Sequence, residues 1–150
     1  MISEDYLTGH IANYLKRELN RRANEEGLTV PIINSYRLYD AFNVPVQDFP
    51  LIKVFRTSSQ YSVSNKRVSS IQVHYSLVLP NLEVLLPYLN WVDYNINEVL
   101  SFALHDITVF IEPTSKRCEY RTLMNELGTP IYSFLRFSFN VTEGQPTIWA

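Results

Sequence analysis

The most regular stretch of the chain is RVSSIQVHYSLVLP, residues 67–80. Ile71, Val73, Tyr75, Leu77 and Leu79 fall on one side of it, and Ser70, Gln72, His74 and Ser76 on the other. Period-two alternation is the pattern of an antiparallel strand with one face on a core and the other in water. On that reading His74 is a solvated histidine. IYSFLRFSFNV, residues 131–141, repeats the pattern, with Leu135, Phe137, Phe139 and Val141 inward and Arg136, Ser138 and Asn140 outward. LIKVFRT, residues 51–57, reads as a further strand with apolar residues on both faces. The polar link SSQYSVSNK, residues 58–66, joins it to the strand that follows, so the two predict a long hairpin with a flexible tip. Shorter extended runs complete the set. Val30, Ile32, Tyr36 and Leu38 share one side ahead of a loop bracketed by Pro45 and Pro50, and Ile107, Val109 and Ile111 alternate before Pro113. CEYRTLMNEL fits either a strand or a short helix, and Gly128 with Pro130 marks a turn.

Two segments carry the helical period instead. Leu7, Ile11, Leu15 and Leu19 recur every fourth residue with Tyr14 beside them, which predicts a helix over about residues 4–24. Ser3 is placed to cap it, and Glu4 and Asp5 suit the positive end of the helix dipole. Lys16, Arg17, Arg21 and Arg22 gather toward the other end, where Gly27 ends the helix. Pro80 and Asn81 break the preceding strand before a second helical face of Leu85, Leu89, Val92, Ile96, Val99 and Ala103. Pro87 interrupts this face, so its first part is a separate turn or a kink, and Asn95 with Glu98 caps a helix from Ile96 to His105. Helix, three strands, helix and two or three strands predict an α+β fold. Its sheet is mostly antiparallel, with a long hairpin and two main helices packed on one face. Residues 1–150 read as a single domain, with 142–150 a mobile tail of apolar ending unless a partner holds it.

Composition narrows the function more than the fold. The 150 residues are 46% hydrophobic and 19% charged, which suits one globular domain. Thirteen bases against 15 acids give a net charge of −2, so there is no electrostatic case for gripping nucleic acid. The lone Cys118 excludes an internal disulfide and a cysteine-cluster zinc site, and reads as an apolar filler. MISEDYLTGH lacks the basic-then-apolar order of a signal peptide, and no run approaches 18 apolar residues, so no membrane partner is expected and a cytoplasmic setting is the default.

The chemistry-bearing residues are scattered. His10, His74 and His105 share no helix face or strand, and His105 with Asp106 simply closes a helix. Four glycines form no phosphate loop, and the hydrolase, zincin and S-x-x-K motifs are missing. Asp40, Asp93, Glu112 and Glu126 read as surface charges. The expectation is therefore no catalytic residue, no metal and no cofactor. Aromatic residues reach 13%, led by 10 Tyr, which fits a tyrosine-rich sheet or an interface. SYRLYDAF concentrates the residue types of interface hot spots in Tyr36, Arg37, Tyr39 and Phe42. Tyr61, Lys66 and Arg67 lie toward the hairpin tip, and Arg117 lies in a basic link with Lys116 and, further on, Arg121. These are the candidate interface residues.

The order of the opening helix, LIKVFRT to SIQVHYSLVLP, NINEVLSFAL, and ELGTPIYSFLRFSFNV resembles the phage tail terminator, or tail-completion, proteins over most of the chain. The resemblance implies a virion protein that is assembled in the host cytoplasm. It implies a homo-oligomeric ring, usually a hexamer, on the finished tail tube. The ring stops tube growth, joins tail to head, and can contact sheath and head-tail connector proteins. DNA passes through it without specific binding. No catalytic residues or cofactors come with the resemblance. The alternative is a small-molecule-binding or regulatory α+β domain acting as a dimer, and an enzyme with a site assembled from scattered residues comes third.

Overall fold

The computed structural model describes residues 5–27, 32–42, 44–62, 66–77, 82–124 and 130–143. The elements are α1 (Tyr6–Glu25), β1 (Ser35–Arg37), β2 (Leu51–Tyr61), β3 (Arg67–Leu77), α2 (Leu82–Asp106), β4 (Phe110–Ile111), β5 (Arg117–Met124) and β6 (Pro130–Glu143). One six-stranded sheet has the order β1-β2-β3-β6, with β4 and β5 both pairing β6 at different heights. All pairings are antiparallel except β1 with β2. The fold is α+β, as the alternation of patterns predicts.

Register explains the core. Val54 lies opposite Val73, and Val73 opposite Phe137; Ile52, Tyr75 and Leu135 form the next such row. With Ile71, Phe139 and Val141 these side chains form the inward face of β2, β3 and β6, under Leu7, Ile11, Leu15 and Leu19 of α1 and Leu89, Val92, Ile96 and Leu100 of α2. Both helices cover this one face; α1 lies over β1 and β2, and α2 over β6 and β4. The deepest tyrosine, Tyr75, is fully buried and donates from its hydroxyl to the Ile32 carbonyl at 3.0 Å. Asn20 of α1 grips the approach to β1 in both directions, donating to the Ile33 carbonyl and accepting from the Ile33 amide, each at 2.8 Å.

Several boundaries differ from the sequence expectation. The α1 cap is Asp5, which accepts from the Leu7 amide at 3.0 Å; Ser3 lies outside the described residues. Gly27 does follow α1, in the left-handed conformation at φ +88 that glycine adopts without strain. Most of the stretch read as a polar link is strand: β2 continues to Tyr61, and Ser58, Ser59, Gln60 and Tyr61 all pair with β3. Cross-strand pairing to β3 outweighs the weak strand propensity of serine and glutamine there. The tip residues 63–65 lie outside the described residues. Pro87 neither ends nor divides α2, and Asn95 is no cap but a mid-helix residue donating to the Trp91 carbonyl at 2.8 Å. A proline six residues into a helix forfeits one early backbone bond, and the apolar face from Leu89 to Leu104 outweighs that loss. The run at Ile107 is strand only at Phe110–Ile111, because Thr108, at φ 56, turns the chain out of α2. Ile107, Val109 and Ile111 nevertheless pack against the core together. The ambiguous CEYRTLM is strand β5, and β6 runs through Thr142 and Glu143, so those two do not belong to a tail. Val30, Leu79, Gly128 and residues 144–150 lie outside the described residues.

The inward row of β2 contains one charge, Arg56. It donates to both oxygens of Asp5, with the closer at 2.8 Å, to Glu143 Oε1 at 2.6 Å, and to the Ser69 hydroxyl. Glu143 also accepts from Arg67 at 3.0 Å and from Ser69 at 2.9 Å. Burial alone would raise the Glu143 pKa, but the hydrogen bonds from Arg56, Arg67 and Ser69 outweigh it and hold the carboxyl below its ordinary value.

Two outcomes check this account. Phe139→Ala should lose about 3–5 kcal/mol of unfolding free energy, read from denaturant midpoints. Ser138→Ala, one residue along on the other face, should stay within about 0.5 kcal/mol of wild type; equal losses would mean the register is wrong. Glu143→Gln should lose about 2 kcal/mol at neutral pH, the weight of charged hydrogen bonds. Because the folded carboxyl is held low, its contribution is present above the ordinary glutamate value of about 4.3 and disappears as pH falls through and below it. Variant and wild type should therefore converge in acid.

Candidate functional site

The sheet face away from the helices divides in two. Toward the start of β2, Leu51, Lys53, His74 and Ser76 are buried. Asp40 and Ala41, from the loop between β1 and β2, lie over Lys53, which donates to Asp40 at 2.7 Å and to the Ala41 carbonyl at 3.4 Å. His74 contacts Gln72 at 2.9 Å, meets Phe55 edge-on and stacks with Phe134. The solvated histidine expected from alternation is thus corrected: His74 sits on the outward face, but it is 7% exposed, with Phe55 and Phe134 packed against its ring. Burial first, and the neighbouring Lys53 ammonium second, push its pKa down to about 4. Asp40 opposes that shift and Arg136 adds to it.

The covering loop is pinned at its polar groups. Arg37 donates to Asp48 at 2.7 Å, Ser35 to the Asp48 carbonyl at 2.7 Å, and Asn34 to the Gln47 carbonyl at 2.8 Å. Three of its apolar side chains are turned out to solvent: Tyr39 is 62% exposed, Phe42 82% and Val46 69%. A loop shaped only by water would turn the aromatics in and the charges out.

The candidate interface residues separate into three places. Tyr36, Arg37, Tyr39 and Phe42 belong to this pinned region; Tyr36 packs on the core and Arg37 is engaged by Asp48, leaving Tyr39 and Phe42 on the surface. Tyr61 and Lys66 are exposed on the hairpin arm, whereas Arg67 is drawn into the ion pair with Glu143. Arg117 is exposed at the start of β5, beside a shallow groove of about 370 Å³ lined by Thr57, Gln72, Ser115, Ser138 and Asn140. Of its basic neighbours, Lys116 donates to Asn97 at 3.1 Å and Arg121 pairs with Glu119 at 2.9 Å.

Sequence reasoning missed Asp5, Arg56, Ser69 and Glu143. The available signal was Arg56 itself, two residues beyond Val54 on the inward side of a strand. It also missed the Lys53–Asp40 contact, for which Lys53 among apolar neighbours was the clue.

The remaining titratable groups are matched rather than poised. His10 contacts the Ala103 carbonyl at 2.9 Å and Asp106 at 3.6 Å. Cys118 is half-buried, and burial together with Asp93 pushes its pKa up to about 12, so at neutral pH it is a thiol, not a nucleophilic thiolate. Among the described residues no three His, Cys, Asp or Glu side chains converge as metal ligands, and no helix is long and apolar enough to cross a membrane. No protein-family model matches the chain, and no curated protein matches it.

The His74 environment sets a pH dependence. Between pH 6.5 and about 4 the unfolded chain takes up a proton that the folded chain excludes. Stability should therefore fall on acidification across that window, by about 3 kcal/mol in all. His74→Gln should flatten this part of the stability profile, measured by urea unfolding at stepped pH.

Proposed function

We propose that the chain is a structural virion protein of the tail-terminator kind. It forms a ring, most simply of six copies, on the end of a phage tail tube, stops tube growth there and joins tail to head. Its partners are further copies of itself, the tube protein, and sheath and connector proteins at the ring faces. DNA passes without being held, and the protein has no catalytic role. The order of elements supports this reading, and so does the even charge.

The observation that carries it is the loop between β1 and β2. Its charges are engaged, Asp40 by Lys53 and Arg37 by Asp48, and it presents Tyr39, Phe42 and Val46 outward on that frame. Aromatic anchors already held in place lose little entropy on docking, which is how a few residues come to dominate an interface. The groove beside Arg117 is what favours the alternative of a small-ligand domain, since a cation among hydroxyls suits a carboxylate.

Phe42→Ser tests the reading. Phe42 is 82% exposed, so the variant should fold and melt like wild type. Assembly, followed by light scattering of the protein alone and with purified tail tubes, should need at least about tenfold more protein, the effect of losing about 1.4 kcal/mol at a contact. A wild-type chain that stays monomeric with and without tubes, and leaves tube length unchanged, would overturn the proposal.

A further inference from the structure

The groove beside Arg117 lies on the outward face of the sheet, and register sets its floor. Ser138 of β6 stands level with Arg117 of β5 on one side and with Gln72 of β3 on the other. Further along β6, Asn140 stands level with Ser70. Between these rows Ile71 and Phe139 turn their side chains into the core, so the floor there is backbone that the core anchors.

The two walls are built to face this floor. Arg56 pairs with Ile71 and Ser58 with Ser70, so Thr57 is the extra residue of the β2 bulge. It lines the groove and donates to the Ser70 carbonyl at 3.2 Å. A bulge gives up pairing and re-aims a side chain, which is why bulges gather beside functional sites. On the other wall the turn Pro113–Ser115 is tied down by Ser115. Its hydroxyl donates to the Glu112 carbonyl at 2.6 Å and accepts from the Asn140 amide at 2.8 Å. Arg117 opens β5 just beyond that turn.

Hydrogen-bond accounting says what belongs between the walls. The two amide oxygens are spent: Asn140 Oδ1 accepts from Ser70 at 2.8 Å, and Gln72 Oε1 accepts from His74 Nε2 at 2.9 Å. The amide nitrogens of both residues have no partner among the described residues, nor do the Ser138 hydroxyl and the Arg117 guanidinium. Nearby acids are engaged elsewhere. Glu119 is held by Arg121 and Arg136 at 2.9 Å each, Glu112 accepts from Thr114 at 3.5 Å, and no acid lines the groove. A cation and neutral donors thus share a space without negative charge. A cationic ligand finds no match there, whereas an oxyanion meets the guanidinium with two oxygens at once. Strands about 4.8 Å apart and alternate residues about 6.8 Å apart spread the donors over a patch of roughly 10 Å by 7 Å. With a volume of about 370 Å³ the groove holds more than a lone ion and suits a small molecule.

We propose that this groove binds a small organic oxyanion, a carboxylate or a phosphate. Arg117 takes its charge, and Gln72, Ser138 and Asn140 donate to its remaining oxygens. The inference rests on the groove and not on the ring reading, so either can fail without the other.

NMR titration of the isotope-labelled full-length chain tests it, with succinate and with glycerol 3-phosphate as probes and ionic strength held constant with sodium chloride. The backbone amides of Gln72, Arg117, Ser138 and Asn140 should shift saturably with at least one probe, and the tighter of the two identifies the class of anion. Arg117→Gln should weaken that binding by at least about tenfold, the effect of losing a charged hydrogen bond, and keep its thermal midpoint. Arg121→Gln removes the same charge from the same face of β5 outside the groove, and should bind as wild type does. The proposal is overturned if neither probe gives a saturable shift, or if Arg117→Gln lowers the affinity no more than Arg121→Gln.

Discussion

Arg56 occupies a position where the alternation of β2 calls for an apolar side chain, and much of the architecture follows from meeting its charge. An inward guanidinium that is only 16% exposed cannot be left unmatched. Asp5 answers it from the first turn of α1 while capping that helix, and Glu143 answers it from the far end of β6. One side chain, next to the bulge in β2, therefore ties the start of α1 to the end of β6. Glu143 also holds Arg67, at the first residue of β3. The cluster lies where the sheet leaves the cover of the helices and the hairpin continues without a core beneath it. A purely apolar contact there would stand half in water, whereas a network of short ionic hydrogen bonds tolerates that boundary.

How far the sequence reveals this depends on whether the signal is local. The inward rows of β3 and β6 are readable because one face of each strand is buried along its length, and a period-two pattern survives only under that condition. The length of β2 was not readable. Its outer half is exposed on both faces, so composition there reports water, while the backbone pairing that makes it a strand leaves no trace in side-chain type. Pro87 misleads for a related reason: the local cost of a proline is plain in the sequence, and the tertiary packing that overrides it is not. His74 is the clearest case. Its face was legible, but its ring lies between Phe55 of the neighbouring strand and Phe134, about sixty residues later in the chain. Tyr39 and Phe42 were legible as interface chemistry, but that the loop bearing them is pinned at its polar groups required the structure.

These features share a division of labour between the two ends of the sheet. At one end both faces are covered, by helices and by the loop carrying Asp40, and the buried groups include Lys53, paired with Asp40, and His74, whose pKa burial pushes down. At the other end, among the described residues, the hairpin arm is held by pairing to β3 and by the Arg56 cluster at its base. Rigidity at the first end fixes where Tyr39, Phe42 and Val46 are presented. Freedom at the second leaves backbone donors and acceptors for another chain. The shifted groups at these two ends are His74, lowered by burial, and Arg56 with Glu143 in the ion cluster.

The asymmetry of the sheet bears on what kind of assembly such a chain can enter. A two-fold dimer uses one patch twice, so it needs a surface complementary to itself. The exposed part of β2 is uncharged, and β5 is laced with Arg117, Glu119 and Arg121, so the two edges are not interchangeable. If β2 paired with β2 of another copy, α1 would face α1 across the joint, placing an excess of arginine and lysine against itself. If β5 paired with β5, the acids of α2 would meet the acids of α2. Only the mixed joint sets opposite charge across the helix layer, and like charges brought together weigh against the others. For the ring proposed above, the charges of the two helices therefore weigh against a joint that pairs like edges.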